Sequence, residues 1–76
     1  MNNSRRKTIA KSLATLRDAH IKLQDALEEE KNALKIIPDD EEHEEQRDAI
    51  DELIDNLEEG ISTLGDAIES LENADF

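Results

Sequence analysis

The chain has 76 residues, 9 Lys+Arg against 21 Asp+Glu for a formal net charge of −12, 36% hydrophobic residues, one aromatic residue and no cysteine. That length allows one small domain, and the absence of cysteine excludes disulfide frameworks and thiolate metal sites. No apolar run approaches the roughly 18 residues of a membrane span, and no apolar stretch follows the basic residues near the N-terminus, so a secretory signal is not expected.

The charge is polarised along the chain. Residues 1–22 carry six bases against the single acid Asp18, giving +5, whereas residues 23–76 carry three bases against twenty acids, giving −17. Such a composition also fits a disordered tail, so the arrangement of the apolar residues decides. In the first half, Ile9, Leu13, Leu16, His20, Leu23, Leu27, Glu30, Leu34 and Ile37 step alternately by four and three. That spacing is the a/d seam of a coiled coil with two polar interruptions. It predicts a first helix over about 5–36, with Ser4 as an N-cap candidate. Pro38 ends this helix, because the residue before a proline avoids the α region. The predicted loop is therefore short, about 37–39.

A second helix is predicted over about 40–74. Asp39 or Asp40 can cap it, and Glu41, Glu42, Glu44 and Glu45 fall in its first turns, where the helix dipole favours negative charge. Its seam, Ile50, Ile54, Leu57, Ile61, Leu64, Ile68 and Leu71, steps by four and three without interruption. Gly60 and Gly65 lie inside it, each costing up to about 1 kcal/mol relative to alanine. The fold class is thus all-α: residues 1–76 form one antiparallel two-helix hairpin, since a short connection makes successive helices neighbours.

A register in which opposed residue numbers add to 77 sets Leu13 against Leu64, Leu16 against Ile61, His20 against Leu57, Leu23 against Ile54 and Leu27 against Ile50. It also sets Glu30 against Arg47, an opposite-charge pair suited to fixing register. The g positions beside the seam are small on both helices: Ser12, Ala19, Ala26 and Ala33 on the first, Gly60, Ala67 and Ala74 with Leu53 on the second. A stripe of that width suits a helix with two neighbours, so two hairpins are expected to pair as a homodimeric four-helix bundle.

Catalytic chemistry is not expected. Ser4, Ser12, Ser62 and Ser70 lie in no nucleophile-turn motif, His20 reads as a polar seam residue, and His43 as a solvated one. Asp40-x-x-His43 with Glu30 only loosely imitates a bundle dicarboxylate site, and the acidic run lacks the alternation and glycine of a calcium loop. Neither metal nor cofactor is therefore expected. Direct nucleic-acid binding is disfavoured by the strongly negative net charge and by Phe76 being the one aromatic ring, and the first helix only partly has the basic polar face and large apolar anchors of a membrane-surface helix. Two surface features stay open. Asp48, Asp51, Glu52, Asp55, Glu58 and Glu59 form carboxylate rows that can imitate a phosphate backbone. Arg5, Arg6 and Lys7 occupy a first turn where the dipole disfavours cations. Either the acidic end of the second helix (Glu69, Glu72, Asp75) neutralises them, or they receive an anion from a partner, such as an acidic patch or the phosphate of a phosphorylated small molecule or cyclic nucleotide.

The opening Met1-Asn2-Asn3-Ser4-Arg5-Arg6-Lys7 before a leucine seam, the segment Glu28-Glu29-Glu30-Lys31-Asn32-Ala33, the Ile37-Pro38 stop and the Ile-x-x-Leu ending together resemble short acidic coiled-coil hairpin proteins encoded by phages and prophages of gut Firmicutes. The resemblance implies a bacterial or phage-infected cytoplasmic setting and no known activity. The functional expectation is a non-enzymatic interaction protein that binds a host protein, as a phage accessory or anti-defence factor. The alternatives are an acidic mimic that inhibits a nucleic-acid-binding protein, and a sponge for a phosphorylated ligand at Arg5, Arg6 and Lys7.

Overall fold

The computed structural model describes residues 3–74. Helix α1 spans Asn3–Ile36 and helix α2 spans Glu44–Glu72, with one 3₁₀ turn, Glu41–His43, leading into α2. The two helices pack antiparallel into a rod of 60 × 15 × 13 Å, and no strand occurs among the described residues.

The ends of the elements follow local chemistry. Leu34 O accepts from the Ile37 N–H at 3.3 Å, and Pro38, with no N–H to donate and a restricted predecessor, stops α1 there. Asp40 sits in extended backbone, and its Oδ1 accepts from the His43 N–H at 3.0 Å. Of the two aspartates expected to cap, Asp40 is the one that does so, and what it caps is the 3₁₀ turn. Glu44 and Glu45 then occupy the first turn of α2, where the dipole favours them. Ser4 is not an N-cap: α1 already includes Asn3, and the Ser4 carbonyl accepts from Thr8 Oγ1 at 3.1 Å inside the helix.

The connection is longer than the expected 37–39, because the capped turn occupies 41–43 before α2 begins at Glu44. This lengthening shifts the register. Arg17 pairs with Glu72 and Lys31 with Glu58; the numbers 17 and 72, like 31 and 58, add to 89. His20 bonds to Ile61, whose numbers add to 81, and lies against Gly65, whose numbers add to 85. Arg47 Nη1 donates to Ile37 O at 3.1 Å, and these numbers add to 84. An axial sum near 84 satisfies all of these contacts. It is one heptad beyond 77, so apolar seam residues still meet apolar seam residues, but with new partners.

Leu13 comes level with Leu71, Leu23 with Ile61 and Glu30 with Ile54. His20 comes level with Leu64 instead of Leu57. The Glu30–Arg47 pair does not form. Among the described residues, Arg47 turns back onto the loop, to Ile37 O and to Asp39 at 3.8 Å, and Glu30 is left half-buried without an ion pair.

The shifted register makes Glu30 and Arg47 independent. In urea melts, Arg47→Ala is expected to cost about 0.5–1.5 kcal/mol through the lost carbonyl bond. Glu30→Leu should stabilise by about 1–2 kcal/mol through burial against Ile54. The combined variant should equal the sum within about 0.5 kcal/mol. A larger coupling between the two sites would restore the shorter register.

Candidate functional site

The two edges of the hairpin differ. The e positions, which follow each d, meet across one edge. There Arg17 Nε donates to Glu72 Oε2 at 3.0 Å, Arg17 Nη2 donates to the same oxygen, and Lys31 Nζ lies 3.9 Å from Glu58 Oε2. His20 reinforces this side. Its Nε2, 3.1 Å from Ile61 O, carries the proton and donates to that carbonyl. Gly65 makes room for the ring: a Cβ there would lie 3.2 Å from His20 Nε2. His20 therefore ties the helices together as a polar seam residue.

The opposite side is open. Among the described residues the four most deeply covered hydrophobic side chains are Leu13 at 6% exposure, Ile54 at 7%, Ile61 at 8% and Ile68 at 6%, and every one is an a residue. The d residues are less covered: Leu16, Leu57 and Leu64 are half-buried, while Leu23 is 36% and Leu71 41% exposed. The g residue Leu53 is 43% exposed. Ala67 and Gly60 are exposed, and nothing lies within 4 Å of where a Cβ on Gly60 would stand. Since d and g adjoin on a helix, these residues make one apolar face beside the seam. Of the residues expected to carry the core, Leu13, Ile54, Ile61 and Ile68 are enclosed within the hairpin. Leu27 is half-buried with Leu16, Leu57 and Leu64, and Leu23 and Leu71 are left facing outward.

The basic cluster projects beyond this packing. With an axial sum of 84, Glu72 at the end of α2 is level with Ser12. The first nine residues of α1, Asn3 to Lys11, therefore extend past α2 by about 13 Å at 1.5 Å per residue. Glu72 bonds Arg17 and not the cluster; Asp75, expected to help neutralise it, lies outside the described residues. No acid follows in the first turn of α1. At the other end of the rod, Asp40 Oδ1 also accepts from His43 Nδ1 at 2.7 Å. This bond, the largest cause, holds the Asp40 carboxyl below its ordinary range. The arrangement is a capped turn. Among the described residues no group of three or more His, Cys, Asp or Glu is placed to hold a metal ion, and no helix is long and apolar enough to cross a membrane.

The carboxylates Asp48, Asp51, Glu52, Asp55, Glu58 and Glu59 are all exposed, and of these only Glu58 takes part in an ion pair among the described residues. The e-row pairs and the Gly65 notch are absent from the expectations above. Opposite charges at e on both helices, Arg17 and Lys31 against Glu58 and Glu72, were the signal available for the pairs. No known protein family, curated protein or solved structure matches this chain.

Two outcomes test these local contacts. Gly60→Ala should stabilise by up to about 1 kcal/mol, and Gly65→Ala should gain less because the new methyl displaces His20; equal gains in thermal melts would show that the ring is not held there. For Asp40, the folded-state pKa is depressed, so its contribution is present above the ordinary carboxylate range and is lost as pH falls through the lowered value. The difference in Tm between the wild type and Asp40→Asn should therefore be largest near neutral pH and shrink on acidification. A difference independent of pH would count against the charged cap.

Proposed function

We propose that the chain is a non-enzymatic interaction protein whose hairpins pair into a four-helix bundle, and that the bundle acts by presenting its charged outer surface to a partner protein. One observation carries this reading: all four enclosed side chains belong to the a row, which leaves the d row and the adjoining g positions as an apolar face along the rod. Contiguous exposed apolar patches on small proteins mark interaction sites. A hairpin this small has a thin core that association commonly completes.

The chemistry of the outer surface narrows the partner. The exposed carboxylates of α2 recur at helical spacing along one side of the rod, so they favour a basic protein surface. Long-range attraction of that kind speeds encounter more than it adds affinity. Within the setting suggested by the phage resemblance, the partner is a bacterial host protein. Blocking a basic nucleic-acid-binding surface is one form such an interaction takes.

Light scattering on the purified chain should give about twice the 8.6 kDa chain mass at micromolar concentration. A monomeric mass up to millimolar concentration would remove the paired bundle.

A further inference from the structure

We infer that the occupant of the open d/g face is a second copy of this chain running antiparallel, so that the basic overhang of each copy lies beside the acidic connecting turn of the other. The inference rests on the paired-bundle reading and adds to it the face used and the direction of pairing.

The size of the face fits this occupant. A strip about 60 Å long and about 10–15 Å wide offers about 600–900 Å² per copy, or about 1,200–1,800 Å² in all, which is the range of stable protein–protein interfaces. The face also has the relief that close helix packing needs. Leucines at 23, 53 and 71 stand beside the small positions 19, 60 and 67, so large side chains of one copy can enter the gaps of the other.

Charge sets the direction. The loop end of the rod, residues 26–58, holds fourteen acids against three bases, a net −11. The opposite end, residues 3–20 with 64–74, holds five bases against four acids, a net +1. Parallel copies would oppose −11 to −11 over the whole loop end, whereas antiparallel copies oppose −11 to +1. Like-charge juxtaposition is costly and excludes wrong arrangements.

The stagger of the helices makes this match specific. Leu23 and Ile61 are level and stand near the middle of the open face. A two-fold axis there relates each axial position x, in α1 numbering, to position 46 − x of the other copy. Those levels lie on α2, where an axial sum of 84 makes position 40 Glu44 and position 39 Glu45, so Arg6 of one copy comes level with Glu44 of the other and Lys7 with Glu45. The cations in the first turn of α1, unfavourable for their own helix dipole, are thereby set against the acidic first turn of the other copy's α2.

The chain has no cysteine among its 76 residues, so a single Thr8→Cys variant carries one spin label per copy. Pulsed electron spin resonance should find the two labels about 45 Å apart in the antiparallel dimer, against about 25 Å or less in a parallel one. Leu53→Lys should raise the dissociation constant at least tenfold, whereas Gln24→Lys, on the edge closed by ion pairs, should leave it within about twofold. The variant R6E/K7E should weaken pairing, and adding E44K/E45K to the same chain should restore it. Labels at the short distance, or rescue failing in a folded dimer, would overturn the direction and leave the paired bundle standing. Loss of pairing from Gln24→Lys but not Leu53→Lys would overturn the face. A monomer under all conditions would overturn both the inference and the bundle.

Discussion

Arg17 with Glu72 and Lys31 with Glu58 lie along a single edge of the hairpin, and this one-sidedness organises the rest of the molecule. Exposed ion pairs contribute only about 0.2–1 kcal/mol each, too little to hold two helices together. Their effect is on rotation. Drawing the e rows together turns the a row of α2 inward, and Ile54, Ile61 and Ile68 become enclosed with Leu13 of α1, whose other a residues, His20, Leu27 and Leu34, are half-buried. The same rotation turns the d residues outward. His20 acts in the same sense, because its bond to Ile61 O brings the helices close at Gly65. A symmetric hairpin would have covered a and d equally and left no apolar face.

The heptads made the helices and their antiparallel packing legible, and Pro38 marked the end of α1. What they could not determine is which heptad meets which. A register shifted by seven residues again places apolar seam residues opposite apolar ones, so the seam pattern is degenerate in steps of a heptad. Two other features break that degeneracy. One is the length of the connection, which the Asp40 cap extends by a 3₁₀ turn. The other is the e row, where bases on α1 face acids on α2. Pairing the seam outliers Glu30 and Arg47 followed charge to the wrong positions, because Arg47 satisfies itself on the nearby Ile37 carbonyl. A polar seam residue beside a loop has local backbone partners, whereas e residues in the middle of a helix have only the facing helix, and are the better guide.

The site was legible in parts. The small g positions marked a stripe wider than the a/d seam, and the exposure of Leu53 and Leu71 locates its uncovered side. The basic cluster was visible as charges in an unfavourable turn, but its position depended on the register. In the shorter register Glu72 would have been nearer to it. In the observed one, Glu72 is occupied by Arg17, and the cluster reaches past α2.

The net charge of −12 and the apolar face place opposite demands on the same rod. Covering the face favours association, while the charge opposes bringing two rods together. Opposition of this kind narrows the arrangements that satisfy both, because the repulsion is concentrated at one end. The acidic turn stabilises α2 through its dipole within a single copy, so that concentration cannot be diluted without weakening the helix start. In the antiparallel pairing proposed above, the basic overhang is the complement of that feature. Its cations stand beyond the end of α2, at the end of the rod opposite the acidic connecting turn.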